Sequence, residues 1–342
     1  MSSAQGKPLF RYADGRRPNL LAMAYVLLGY LGGLALLPAA APWLNALGTL
    51  LLAHAMIVAA YFLHEFAHAS IFSAPRHNAW AGTLCSWLCG SCYADFADLR
   101  DKHLRHHAER ADVVSFDARA LLRRSPRWLQ RLVLALEWAW IPALEVLMHL
   151  WVIALPFVTA SAKHRRRRGR VAALLLLRSL AFALLGWLSL KALLLYALAW
   201  LLMLGVLRFA DAYQHTYDAI AVLEEGQLAD GKLRDRAYEQ RNTYSNLVSQ
   251  RWPLLNLLLL NFAYHNAHHA KPAEPWHRLP ALHERLFGAA DEQLLPMRSL
   301  LPGFHRHRLR RLLDDDYGTV GSGADKARDF YGAVGVSFLT AV

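Results

Sequence analysis

Charge is scarce in this chain of 342 residues: Asp, Glu, Lys and Arg make up 19% of it, against about 25% in an ordinary soluble domain. That shortage leaves too little charge to solvate a globular surface of this size. Cysteine is scarcer still, and three residues, Cys85, Cys89 and Cys92, cannot build a disulfide framework. With 55% hydrophobic residues and a mean hydropathy of +0.18, the chain lacks the polar bias of intrinsic disorder except at its ends. Acidic residues are the minority sign, 26 against 38 Lys and Arg for a formal +12. The basic residues stand in blocks beside apolar runs, as in the cytoplasmic loops of membrane proteins. No nucleic-acid recognition motif accompanies them, so no nucleic-acid partner is expected.

What is present instead is long uncharged sequence. A helix crossing a bilayer takes roughly 17–25 apolar residues. Leu20 to Leu37 carries no charge, nor does Ala46 to Leu63, and the short uncharged link Pro38 to Asn45 makes the two a helical hairpin. Val171 to Leu190 and Ala192 to Phe209 form a second hairpin carrying only Arg178 and Arg208, read as lying near span ends where long basic side chains snorkel. Arg16-Arg17, an apolar run and Ala39-Ala40-Ala41 also have signal-peptide features. The run of about 18 residues exceeds the 7–15 of a signal core, so it reads as a span. Trp128 to Val158 is apolar but carries Arg131, Glu137, Glu145 and His149 and is interrupted by Pro142, which predicts helices lying in the membrane interface. Ala79 to Tyr93 is too short to cross. Lys7, Arg11, Arg16 and Arg17 precede the first span, and Lys163, Arg165 to Arg168 and Arg170 precede the third. The positive-inside rule therefore places both flanks in the cytosol. The expected fold is all-α integral membrane: four transmembrane helices in two hairpins, interfacial helices, and a cytosolic histidine-rich cap. Residues 1–18 read as a cytosolic N-terminal segment, 19–290 as the membrane domain, and 291–342 as a cytosolic C-terminal tail, Gly-rich and loosely held at its end.

Histidine is in surplus, with 17 residues. Three clusters hold most of the information: His64-Glu65-Phe66-Ala67-His68, His103-Leu104-Arg105-His106-His107, and His265-Asn266-Ala267-His268-His269. Residues three and four apart share a helix face, so each cluster presents its imidazoles in one direction. His215, just past the fourth span, adds a ninth, and four residues after Asp211 it is expected to share a helix face with that carboxylate. Imidazole suits Zn, Cu, Fe and Ni, and nine exceed what one metal can hold, so two metal ions are implied. His54, about 15 Å deeper in the second span at 1.5 Å per residue, reads as structural. So do His77, His149, His164, His305 and His307, with His277 and His283 less clearly placed. Clusters that share a site must lie on one side of the membrane, so an even number of spans must separate His107 from His265.

Rival readings are weaker. His64 to His68 matches HExxH, two ligands and a general base of a zinc protease. Such a site needs one further ligand and a water, which leaves most clustered histidines without a role. Cys85, Cys89 and Cys92 match CxxxCxxC of iron–sulfur radical enzymes, but an apolar stretch without alternating strands and helices reads as a buried cysteine stripe. A metal transporter would place its site near the bilayer midplane, whereas these histidines lie at the span ends.

The box order HxxxH, HxxHH, HxxHH resembles the membrane fatty acid desaturase superfamily. Leu99 to His107 resembles its WRxxHxxHH stretch with Leu in place of Trp. Asn261 to His269 resembles NxxYHxxHH, and Pro275-Trp276-His277-Arg278-Leu279-Pro280 resembles the segment that follows. The likeness covers about residues 19–290. It implies two irons held by His64, His68, His103, His106, His107, His215, His265, His268 and His269, with O₂ as co-substrate and a lipid acyl chain as substrate. Where the acyl-CoA branch has an Asn that holds a metal-bound water, this chain has Asp211, whose carboxylate either holds the water or binds iron. Glu65, Asp98, Asp112 and Asn261 stand where they could orient imidazoles through the other ring nitrogen. The implied reaction is desaturation, with hydroxylation or ketolation of a lipid or carotenoid as the alternative. It consumes two electrons, and no donor module is legible, which implies a separate ferredoxin or cytochrome b5-type protein.

Overall fold

In a computed structural model the protein is mostly helical, and residues 8–228, 231–288, 292–321 and 326–341 are described. Lys7, counted above among the basic residues before the first span, lies outside them. Helices α1 (Arg16–Leu36) and α2 (Pro42–Ala67) come first. Asn45 fastens the link between them, its side-chain amide donating to the carbonyls of Leu36, Leu37 and Ala39 at 3.2, 2.9 and 2.9 Å. Gly33 and Gly48 set how near the two helices come: a Cβ on Gly48 would lie 2.7 Å from Leu36 Cβ and 2.9 Å from the Gly33 carbonyl oxygen. Small residues are what let spanning helices touch by backbone.

There follow α3 (Pro75–Cys89), α4 (Phe96–Glu109), strand β1 (Asp112–Val114), α5 (Ala118–Arg124), α6 (Arg127–Trp138), α7 (Ala143–Val158), α8 (Ala162–Arg165), α9 (Arg168–Leu188) and α10 (Leu190–Asp211). Beyond them stand β2 (Ile220–Val222), α11 (Arg236–Arg241), α12 (His265–Ala270), α13 (Leu279–Leu286), α14 (Met297–Arg306), α15 (Arg310–Leu313), β3 (Gly318–Thr319) and β4 (Asp329–Phe330). Sheet is minimal. β1 pairs in parallel with β2, Val113 opposite Ala221, and β3 pairs antiparallel with β4. The first pair staples the chain leaving α4 to the chain leaving α10.

α1, α2, α9 and α10 are long and apolar enough to cross a membrane. α2 is the centre of the core, buried from Leu52 onward except at His54 and packed with residues of α3, α10 and the Leu259–Phe262 stretch. Trp128 to Val158 divides into α6 and α7, and the 16-residue α7 is shorter than the four candidate spans. Cys85 and Cys89 lie on α3 and Cys92 just beyond it, all three buried.

Two expectations are corrected. Arg178 stands in the middle of α9, not near an end. Its guanidinium donates to the Trp87 carbonyl at 3.0 Å and to Cys92 Sγ at 3.8 Å, so another chain segment satisfies it rather than the bilayer surface. Arg208 does lie near the end of α10, buried against Glu137 and Glu145, which ties α6 and α7 to α10. The second correction concerns the closing residues, which are not loosely held. Phe330, Tyr331, Leu339, Thr340 and Ala341 are all buried. Apolar side chains between the glycines give this segment enough surface to bury.

Candidate metal centre

Four pieces of chain bring the histidines together. His64 occupies the last turn of α2 and His68 its C-cap. His103, His106 and His107 lie on α4, and His265, His268 and His269 on the short α12. Leu260 and Asn261, at φ 49° and 57°, turn the chain ahead of α12. The helical pairing expected for Asp211 and His215 is corrected: α10 ends at Asp211, a turn follows, and His215 lies beyond it with its backbone bridged to Thr243.

The nine imidazoles fall into two groups, His64, His68, His103, His107 and His268 in one and His106, His215, His265 and His269 in the other, with the ligand atoms of each group within 4.8 Å of one another. The Nε2 atoms converge. In the first group His64 and His268 stand 3.1 Å apart, His68 and His103 2.6 Å, and His107 and His268 3.1 Å. In the second, His215 Nε2 is 3.1 Å from that of His106 and 2.8 Å from that of His265. His54, His77, His149, His164, His277, His283, His305 and His307 belong to neither group, and nor do the three cysteines.

Burial, and next the neighbouring imidazoles, hold His68, His103, His107, His215, His265, His268 and His269 well below the ordinary histidine pKa. Burial takes His106 down to about 4 against a hydrogen bond to the Ala111 carbonyl. Neutral imidazoles present lone pairs, and several lone pairs crowded together cannot all be satisfied by hydrogen bonds among themselves. A cation in each group would satisfy them, so the donor set fits two metal ions.

The opposite ring nitrogens are held by the protein in part. His106 Nδ1 meets the Ala111 carbonyl at 2.7 Å, His269 Nδ1 meets Glu239 Oε1 at 2.9 Å, and His215 Nδ1 lies 3.4 Å from Thr243 Oγ1. Glu239 is itself paired with Arg110 at 3.1 Å. Sequence reasoning missed Glu239 and Thr243. They lie four apart on and just beyond α11, in a polar segment with nothing to mark it. Of the residues expected to orient imidazoles, Glu65 lies 3.7 Å from His64 Nδ1. Its Oε2 accepts from Ser70 Oγ at 2.7 Å and from the Trp276 backbone N–H at 3.1 Å, which is not the placement of a protease general base. Asp98 instead pairs with Arg167 at 2.5 Å, and Asn261 donates to the Trp276 carbonyl at 3.2 Å. Neither is bonded to any of the nine, because a nearby cation and a backbone acceptor claim them first. Asp112 accepts from the Tyr317 hydroxyl, and burial raises its carboxyl to about 6.

A cavity of about 50 Å³ borders His103, His106, His215 and His265, together with Lys102, Asp112, Asp211, Gln214 and Phe262. Asp211 stands outside both histidine groups, with its Oδ1 buried and unpartnered. A far larger apolar groove, about 1430 Å³, runs among α1, α3, α9 and α10 and touches none of the nine histidines.

No curated protein matches the chain by sequence. The family model for fatty acid desaturases matches residues 41–301, a span that starts at the foot of α2 and takes in all nine clustered histidines. The chain therefore belongs to the fatty acid desaturase family, whose members are desaturase-like oxidoreductases.

Proposed function

We propose that the chain is an O₂-dependent di-iron oxidoreductase that introduces a double bond into the acyl chain of a membrane lipid. The observation that carries this reading is the sorting of nine buried or half-buried imidazoles into a group of five and a group of four. When bound, the two irons supply the oxygen chemistry needed to remove hydrogen from an unactivated methylene, which no side-chain acid or base can do. The protein's own residues do the rest. Burial keeps the imidazoles neutral, while Glu239, Thr243 and the Ala111 carbonyl fix ring orientation through Nδ1. Phe262 and Phe338 place apolar rings beside His64, limiting water there. Two electrons come from a separate ferredoxin or cytochrome b5-type protein.

The membrane arrangement belongs to the same proposal: α1–α2 and α9–α10 are two hairpins, α6 and α7 lie in the interface, and the histidines and both termini face the cytosol. The second and third boxes meet in space, which supports an even number of crossings between them. Asp101→Cys and Lys271→Cys, both at exposed positions, are expected to label from the same face; opposite faces would refute the topology.

Iron analysis of purified protein and mass spectrometry of host lipids test the reaction. About two irons per chain are expected, with His106→Ala and His268→Ala losing iron and product; full activity in either variant would sink the assignment. In the lipids a loss of about 2 mass units marks desaturation, while gains of about 16 or 14 mark hydroxylation or ketolation of the same CH₂ group.

A further inference from the structure

A buried metal centre that acts on an acyl chain needs a chamber for that chain, and ligand chambers run to about 300–1,000 Å³. The cavity on the histidines holds about 50 Å³, and the one continuing from it past Asp211 toward Arg208 and Glu145 about 20 Å³. Both are closed by the same piece of chain, since Ala333 and Val336 line the two, and Phe338 lines the first. The Phe338 ring stands 6.2 Å from those of His64 and Tyr61.

This segment is fastened by few bonds, mostly to its backbone. Lys102, buried beside His103, donates from Nζ to the Ser337 and Thr340 carbonyls at 2.6 and 2.8 Å. Ser115 Oγ donates to the Thr340 carbonyl at 2.7 Å, and the Ala333 N–H donates to the Ala212 carbonyl at 2.7 Å. Gly332, at φ 78°, makes the turn into it, and a Cβ there would lie 2.5 Å from the Ala212 carbonyl oxygen. Val334, Leu339 and Ala341 bury the segment in the core while the ammonium grips two of its carbonyls, so the half-buried side chains at 336 and 338 make none of these hydrogen bonds and line the cavities instead. The segment also lies outside the stretch that matches the family.

We infer that residues 333–341 form a strap that fills the acyl seat of the histidine centre, that Lys102 latches it, and that Val336 and Phe338 are the walls against which an admitted chain is positioned. The inference rests on the proposed lipid oxidation. Lifting the strap joins the two small cavities into one chamber beside the histidines. The bulk of residues 336 and 338 then decides which methylene reaches them.

The test has two arms on the full-length protein in lipid nanodiscs. In the first, Ser337→Cys is labelled with a maleimide; the native Cys85, Cys89 and Cys92 are buried. Adding Lys102→Met is expected to speed labelling roughly tenfold, and Ser115→Ala, the gentler change, a few-fold. Unchanged rates in both variants overturn the latch. In the second arm, Phe338→Ala and Val336→Ala are expected to shift the position of oxidation or the preferred chain length in the product profile and to alter KM more than kcat. A profile and KM identical to wild type in both overturn the wall. If wild-type protein oxidises no lipid, the proposed function fails by itself, and the labelling arm still decides the latch.

Discussion

α2 and α9 are nearly equal as apolar helices, with mean hydropathies of 2.0 and 2.1 over their most apolar windows, yet 72% of the first window is buried inside the protein and 6% of the second. Hydropathy reports how readily a segment leaves water, not what replaces the water. Along α2 the small residues Ala53, Ala55, Ala59 and Ala60 let neighbours close in, and all four are buried. α9 turns Leu176, Leu180, Leu184 and Trp187 outward, where lipid can meet them as well as protein could. A metal ligand has to be held in place, and only the enclosed helix can do that. His64 and His68 stand at the end of α2; α9 ends without any such group.

Four substitutions probe this contrast. The largest effect is expected at the end of the enclosed helix: His64→Ala should empty the five-histidine group of iron and lower product formation at least roughly a hundredfold, read by metal analysis and lipid mass spectrometry. Gly48→Leu forces α1 and α2 apart where a Cβ already meets Leu36 at 2.7 Å. Overpacking of this kind costs typically about 1–3 kcal/mol, visible as a lower unfolding temperature in detergent. Glu239→Gln keeps an acceptor for His269 but removes the charge that pairs with Arg110, and iron affinity measured by competition with a chelator should fall about tenfold. Leu180→Ala on the exposed face of α9 should change the unfolding free energy by less than about 0.5 kcal/mol. A drop as large as that of Gly48→Leu would show that α9 has a protein partner on that face.

The four long apolar helices are legible because charge and length alone settle which segments can leave water, and the histidines because their spacing of three and four has no common structural cause. The place of Arg178 is not legible, because a run of leucines does not show where a helix begins; only the position of Arg168 at its start puts Arg178 in the middle. The helical pairing of His215 with Asp211 fails because a spacing of four implies a shared face only within a helix, and α10 ends at Asp211. Glu239 lay beyond reach, since a single carboxylate in a polar segment carries no periodicity.

By itself the sequence determined the inventory: four apolar helices, nine clustered histidines, and membership of a family that oxidises lipids. Those are properties of composition and local spacing, which survive without knowledge of neighbours. The tertiary structure decided how the nine divide between two groups, that Glu65 turns to Ser70 and Trp276, and that the closing residues pack beside the histidines under Lys102. Each of these is a contact between segments far apart in the chain, set by how helices and loops pack in three dimensions.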